Sequence, residues 1–141
     1  MAAGDNSILQ NNGAITSNSY RAYGMTATSG SDLTNGKTGT ITMNQPYGYG
    51  MAISGTSGTL TNDGAITLNN ISSSGLYAAN SGTSPAAISV TNGTDGTGVM
   101  LETGSTLSNT GTITTTQDYS YPVLGYDDNI TVTNRGLIST T

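Results

Sequence analysis

The chain has 141 residues, of which 8% are charged, and its formal net charge is -5 with only three basic side chains. So little positive charge disfavours binding to nucleic-acid phosphates or to an anionic membrane surface. Because the sequence contains no Cys and no His, disulfides, zinc-type sites, thiol nucleophiles and Ser-His-Asp triads are excluded. No apolar run approaches the ~18 residues of a membrane helix, so no membrane insertion is expected.

The first pattern along the chain is aliphatic-x-Asn-x-Gly-x-Ile, seen at Leu9–Ile15 and then repeated. The copy at Leu33 needs two extra residues, and the copy at Val90 is degenerate. Aligned copies begin at Leu9, Leu33, Leu60, Val90, Leu107 and Val132. A period of about 25 residues indicates a repeat array, so residues 1–141 are predicted to form one domain of five to six coils.

A second pattern lies in the other half of each unit, where a glycine precedes an aliphatic residue. It occurs at Gly24, Gly50, Gly75 and Gly98, and Pro122 takes this place in the last unit. Apolar residues alternate with polar ones around these glycines and after each Asn-x-Gly, which favours short strands over helices. Short strands joined by corners and repeated at this period predict an all-β parallel β-helix, or β-solenoid.

The Asn-x-Gly segment is predicted to be a corner, because Asn tolerates and Gly prefers a positive φ. The flanking aliphatic side chains would fill the core. The repeated asparagine amides are predicted to stack into a hydrogen-bonded ladder, formed by Asn11, Asn35, Asn62, Asn92, Asn109 and Asn134.

The stretch between Gly75 and the start at Val90 is longer than in the other units, and Ala79–Ala87 lie in it. The segment that follows, Asn92–Gly98, is shorter than its counterparts. We expect Ala79–Ala87, with Ser81, Thr83 and Pro85, to leave the coil as a loop. Tolerated variation at a corner and a protruding binding loop are both consistent with this interpretation.

Carboxylates are the only conventional acid-base groups available. Asp127 and Asp128 lie at a predicted corner, where they are either solvated turn residues or a weak candidate site for a hard cation such as calcium. Glu102 and Asp95 are close in sequence, but no second motif supports a glycosidase pair. We therefore expect no catalytic residue, no bound metal and no cofactor.

All the aromatic residues are tyrosines that fall near the glycine of the second pattern. They are predicted to form a stripe along one flank, either as packing over the backbone or as a platform for sugar rings or a partner protein. The eight are Tyr20, Tyr23, Tyr47, Tyr49, Tyr77, Tyr119, Tyr121 and Tyr126.

The two ends of the sequence carry no polar cap, although a terminal coil exposes its strand edges. Self-association through the solenoid ends is therefore expected, unless the chain is a segment of a longer solenoid. Residues Met1–Gln10 lack the pattern of a signal peptide.

Several segments carry a resemblance to a known group of proteins. LTNDGAITL, LSNTGTITTT and ITVTNRGLIS, with the intervening SGLYAANSG and GVMLETGST, resemble the passenger repeats of bacterial autotransporters and related filamentous surface proteins. The resemblance implies a right-handed parallel β-helix on a bacterial surface, acting in adhesion, aggregation or as a stalk.

The first interpretation is a non-enzymatic extracellular structural or adhesive β-solenoid. A small subunit that stacks end to end into an extracellular filament is the alternative within that class. A module that binds polysaccharides, or an enzyme that acts on them, is the alternative of a different class, and the scarcity of basic residues argues against the enzyme. A host glycan or a surface protein is the expected partner.

Overall fold

The computed structural model of the chain describes residues 1–54, 58–69, 74–78, 81–84, 88–90, 96–102, 105–109, 111–116, 118–126 and 128–140. Within these ranges every regular element is a strand of three to five residues. None of the described segments is a helix long and apolar enough to cross a membrane.

The strands form three parallel sheets, and each successive strand of a sheet comes from the next coil. The first sheet contains β1 (Ile8–Asn11), β4 (Asp32–Asn35), β7 (Thr59–Asn62), β10 (Ser81–Ser84), β13 (Thr106–Asn109) and β16 (Thr131–Asn134). The second contains β2 (Ala14–Ser17), β5 (Thr40–Met43), β8 (Ala65–Leu68), β11 (Ile88–Val90), β14 (Thr112–Thr115) and β17 (Leu137–Thr140). The third contains β3 (Tyr23–Ala27), β6 (Tyr49–Ile53), β9 (Ser74–Ala78), β12 (Thr97–Leu101) and β15 (Tyr121–Gly125).

Three consecutive strands therefore make one coil, and the described strands build five complete coils and two strands of a sixth. Equivalent residues stack in register, as in Leu9↔Leu33 and Leu33↔Leu60. The predicted all-β parallel β-solenoid of five to six coils is confirmed. Its right-handedness stays a prediction from the resemblance.

The core follows from alternation along each strand, because successive side chains of a strand point to opposite faces. In β4, Leu33 and Asn35 are buried, while Asp32 is exposed. Residues from all three sheets meet in one apolar column along the axis. Its largest fully buried side chains are Met25, Leu33, Ile41, Met43, Met51, Ile53, Leu60, Ile66, Leu68 and Leu101.

Asn11, Asn35 and Asn62 of the first sheet lie inside this column. The Asn11 side-chain amide donates to Asn35 Oδ1 at 2.8 Å, and the Asn35 amide donates to Asn62 Oδ1 at 2.8 Å. These hydrogen bonds satisfy amides that would otherwise be unpaired in the core. Asn134 holds the same place in the last coil, where it is exposed and bonds to Gly136.

The predicted conformation of the Asn-x-Gly corner is wrong. Among the described residues neither this asparagine nor its glycine has a positive φ. Gly64 is needed for a different reason, since a Cβ there would overlap the carbonyl oxygen of Gly39 in the preceding coil. The chain passes too close to its neighbour to carry a side chain at that point.

Left-handed residues lie instead at the other two corners of the coil. One group stands two residues before strands of the first sheet and contains Asn6, Gly30 and Asn129. The other stands two residues before strands of the third sheet and contains Arg21, Tyr47 and Tyr119. Both corners are thus turned by one residue at a fixed place in the coil.

The fourth coil begins at Gly82, so the predicted repeat start at Val90 is wrong. Gly82 pairs with Leu60 on one side and Leu107 on the other, whereas Val90 pairs with Leu68 in the second sheet. The starts from Leu60 to Leu107 are therefore 22 and 25 residues apart, and the unit that follows Ala79–Ala87 is not compressed.

The loop predicted at Ala79–Ala87 is wrong for Ser81–Ser84, the part of that segment that the structure describes. Ser81–Ser84 form β10 and pair with the neighbouring coils, so Ser81 and Thr83 lie on a strand. Ser84 has the register position beside Asn109, the place that the sequence pattern assigned to Asn92. Asn92 and Pro85 themselves lie outside the described residues.

The first coil is partly covered. The backbone of Met1–Ala3 runs beside β3, with Thr26 N–H donating to Met1 O at 2.9 Å and Ala3 N–H donating to Thr26 O at 3.1 Å. The expectation of an entirely open first end is therefore wrong for the third sheet. In the last coil all four residues of β16 are exposed.

Candidate functional site

Tyrosines of the first three coils meet on the outside of the third sheet. Tyr23 and Tyr49 are the first residues of β3 and β6 and pair in register. Their rings stack with centroids 5.1 Å apart and planes at 13°. Tyr77 from β9 lies edge-on to Tyr49, at 5.3 Å and 62°.

The adjoining corner adds two more tyrosines and one cation. Tyr20 and Tyr47 pack edge-to-face with centroids 5.4 Å apart. The Arg21 guanidinium carbon lies 5.4 Å from the centre of the Tyr20 ring and 5.8 Å from that of Tyr47, within the range of a cation–π contact. The tyrosine surface is defined here as Tyr20, Arg21, Tyr23, Tyr47, Tyr49 and Tyr77.

The left-handed corner explains how this group is positioned. Arg21 (φ 54°) and Tyr47 (φ 59°) hold the same place in consecutive coils, and the Arg21 N–H donates to Pro46 O at 3.2 Å. Bulky residues rarely adopt a positive φ. Tyr119 (φ 59°) has this conformation in the fifth coil as well, so the corner is a property of the fold.

Two grooves border the Tyr23–Tyr49 stack. The first, of about 240 Å³, is lined by Tyr23, Thr26, Tyr49, Ala52, Ser54 and Tyr77. The second, of about 310 Å³, is lined by Arg21, Tyr23, Tyr47 and Tyr49. Tyr23 and Tyr49 belong to both, so the stacked pair forms the wall between them.

Glu102 lies next to Tyr77, at the end of the tyrosine surface that is farthest from Arg21. The Tyr77 hydroxyl donates to Glu102 Oε1 at 2.5 Å. Burial, this hydrogen bond and the negative charge of Glu102 raise the pKa of Tyr77 well above its ordinary value. Burial, with smaller effects from Tyr23 and Glu102, also raises the pKa of Tyr49, so both hydroxyls remain protonated hydrogen-bond donors at neutral pH.

The other predicted tyrosines do not join this group. Tyr121 shares a register column with Tyr23 and Tyr49, but Ser74 and Thr97 stand between them. Three coil spacings of about 4.8 Å separate Tyr121 from Tyr49. The predicted stripe is therefore a cluster in the first three coils. The exposed tyrosines at and around β15 of the fifth coil lie apart from it, namely Tyr119, Tyr121 and Tyr126.

The predicted carboxylate sites remain single residues in the described part of the chain. Asp128 is exposed at the corner before β16, while Asp127 and Asp95 lie outside the described ranges. No group of three or more metal-ligating side chains occurs among the described residues.

Sequence reasoning missed two features. Arg21 was not singled out, although YRAY at 20–23 places a cation between two tyrosines. A second amide ladder runs along the outside, where Asn44 Nδ2 donates to Asn18 Oδ1 at 2.9 Å and Asn69 Nδ2 donates to Asn44 Oδ1 at 2.7 Å. Its signal is an asparagine directly after the strand in each of these coils.

The family model described as the BigA third pectate lyase-like domain matches residues 1–141. The chain belongs to this family. Its pectate lyase-like description names a parallel β-helix fold, which agrees with the three parallel sheets. BigA domains of this type are bacterial surface-protein domains, so the predicted surface β-solenoid is confirmed at that level. No curated protein and no solved structure shows a significant match to the chain.

The tyrosine surface has the chemistry of a binding site. Aromatic rings offer apolar faces at low entropic cost, and their hydroxyls donate and accept hydrogen bonds. Glu102 is the carboxylate that the described residues place against these rings, and it already accepts a hydrogen bond from Tyr77. A pair of opposed acid-base groups is not formed by the described residues around the two grooves.

Proposed function

We propose that the chain is a non-enzymatic adhesive domain of a bacterial surface protein, acting at the cell surface or outside the cell and binding a carbohydrate on its tyrosine surface. The observation that carries this proposal is the stack of Tyr23 and Tyr49 between two grooves of about 240 and 310 Å³. Family membership supports the surface location. Of the two expected roles, structural and adhesive, the tyrosine surface favours the adhesive one.

The grooves suit sugar rings in size and chemistry. Ligand pockets of ~300–1,000 Å³ hold drug-sized molecules, so each groove has room for about one ring. The apolar face of a sugar packs against an aromatic ring, and its hydroxyls bond to neighbouring polar groups. Tyr49, Tyr77, Thr26 and Ser54 supply hydroxyls to the first groove.

The non-enzymatic part of the proposal is supported by the residues available. The sequence contains neither His nor Cys, and Glu102 is engaged by Tyr77. Loss of polysaccharide-cleaving activity on Glu102→Gln, if any such activity were found in the purified chain, would replace adhesion by catalysis.

The test compares two tyrosines at one register position. Tyr23 is 49% exposed and Tyr121 is 50% exposed, but only Tyr23 borders the grooves. We expect Tyr23→Ala to weaken binding of a glycan identified on an array by about tenfold, or ~1.4 kcal/mol, and Tyr121→Ala to leave it unchanged. Circular dichroism checks that both variants fold.

Equal losses in the two variants, or no glycan binding by the wild-type chain, would contradict carbohydrate binding at this surface. Self-association through the solenoid ends stays a separate prediction. Electron microscopy over a concentration series tests it, since filaments would support it and short single rods would exclude it.

A further inference from the structure

We propose that the ligand of the tyrosine surface is an acidic sugar, whose carboxylate is bound by Arg21 in the groove of about 310 Å³. The inference rests on the proposed function and specifies its ligand. Arg21, Tyr23, Tyr47 and Tyr49 form the acidic-sugar subsite.

The first step is that Arg21 is a single cation without a neighbouring charged group among the described residues. The chain has three basic residues and a net charge of -5, so a cation here is not part of a generally basic face. Among the described residues that line the groove there is no carboxylate. The Arg21 guanidinium contacts the rings of Tyr20 and Tyr47 and forms no ion pair within the described chain.

The second step is the geometry of the donors. A guanidinium carries five N–H donors in a planar fork that matches the two oxygens of a carboxylate. Arg21 is held by a fixed corner, because its own N–H bonds to Pro46 O in the next coil. Arg21 lines the groove, and its guanidinium rests against the rings of Tyr20 and Tyr47. A side chain that is already held in place lowers the entropic cost of binding.

The third step is the difference between the two grooves. The groove with Arg21 has one cation and three tyrosines, whereas the other has hydroxyls and lies toward the Tyr77–Glu102 pair. The negative charge of Glu102 disfavours a second carboxylate there. A bound saccharide is thus expected to place its acidic ring beside Arg21 and a neutral ring beyond the Tyr23–Tyr49 wall.

A sugar is favoured over an acidic peptide by the shape of the site. Each groove has room for about one ring, and the stacked rings of Tyr23 and Tyr49 line both grooves. An extended peptide would instead gain affinity from main-chain hydrogen bonds to a sheet edge. β3 is the edge strand of the third sheet, but Met1–Ala3 already pairs with it at Gly24 and Thr26, so this edge is not open to an extended peptide.

The experiment measures binding of the whole chain to three disaccharides of the same length: one ending in glucuronic acid, its methyl ester, and one ending in glucose. The ester keeps the ring but removes the charge. We expect the acid to bind at least about tenfold more tightly than the ester, as for a hydrogen bond to a charged group. Added salt should reduce this preference by screening the charge pair.

Arg21→Asn removes the cation and keeps a residue that tolerates positive φ. We expect it to bind acid and ester equally, at the level of the wild type with the ester. Arg135→Asn alters the net charge equally but lies in the last coil, so it should retain the preference for the acid.

The outcomes separate the two proposals. Equal binding of acid and ester by the wild type, or a preserved preference in Arg21→Asn, would overturn the acidic-sugar subsite and leave carbohydrate binding intact. Binding of none of the three disaccharides would overturn the subsite, and failure across the glycan array would remove the proposed function as well. Tighter binding of a peptide rich in Asp and Glu would also exclude the sugar.

Discussion

Asn35 is a polar residue in the middle of an apolar core, and its neighbours in the stack explain why it is tolerated there. Its amide donates to Asn62, and its oxygen accepts from Asn11. A buried amide without partners costs about 1–3 kcal/mol. The asparagine column is therefore stable only as a set, because each member satisfies the next.

Replacing one member of this column tests the point. We expect Asn35→Ala to lower the free energy of unfolding by about 2–4 kcal/mol, since Asn11 Nδ2 and Asn62 Oδ1 lose their buried hydrogen bonds to Asn35. Asn134→Ala changes the same repeat position where the side chain is exposed, and it should cost less than about 0.5 kcal/mol. Urea unfolding followed by circular dichroism measures both, and similar losses would contradict the ladder.

At the scale of the element, the third sheet depends on a column of glycines. A Cβ on Gly50 would lie 2.7 Å from the Gly75 carbonyl oxygen and 2.7 Å from Ile66 Cγ2. Gly24 faces the same obstruction from Gly50, with a distance of 2.6 Å to its carbonyl oxygen. The glycine therefore permits close packing between adjacent coils and between two sheets.

Alanine at this position should separate the coils. We expect Gly50→Ala to destabilise the domain by about 1–3 kcal/mol through overpacking. Gly13→Ala is the matched control, because a Cβ there meets nothing within 4 Å, and it should change stability by less than about 0.5 kcal/mol. Thermal unfolding of the two variants decides the matter, and a neutral Gly50→Ala would show that the sheet adapts.

The fourth coil shows how far the sequence determines these elements. Repeat length, strand periodicity and the glycine column at Gly24, Gly50 and Gly98 can be read from the pattern. The start at Gly82 cannot, because glycine replaces the leucine and Ser84 replaces the asparagine that mark this strand elsewhere. Val90 looks like a start since all three sheets alternate apolar and polar residues, and that alternation does not distinguish one sheet from another.

The candidate site was predicted only in part. The sequence indicates that the site is made of tyrosines. It does not indicate which tyrosines come together, because that depends on the strand register and on the corners of the coils. Ser74 and Thr97 interrupt the column between Tyr49 and Tyr121. Arg21 joins the surface through a left-handed corner that local sequence does not specify, because arginine has no preference for that conformation.

For the whole molecule, the raised pKa of Tyr77 links stability to pH. The folded state holds its proton more tightly than the unfolded state, where the ordinary pKa is 10.0. The resulting stabilisation is fully present below pH 10.0 and is lost as the pH rises from there toward the raised pKa. Alkaline solution should therefore favour unfolding, because the unfolded chain releases this proton first.

Tyr77→Phe isolates that contribution. We expect the urea midpoint of the wild type to fall more steeply than that of the variant when the pH is raised above 10.0. Below that pH the variant should be the less stable of the two, because it lacks the hydrogen bond to Glu102. Parallel pH profiles of the two proteins would show that Tyr77 is not coupled to folding.

The two asparagine ladders have opposite directions along the rod. In the buried ladder each amide donates toward the following coil, from Asn11 to Asn35 and on to Asn62. In the outer ladder each amide donates toward the preceding coil, from Asn69 to Asn44 and on to Asn18. Aligned amides add their dipoles, as peptide groups do in a helix. Because the ladders are antiparallel, their dipoles oppose each other along the first three coils, and these side chains do not build up opposite partial charges at the two ends of that segment.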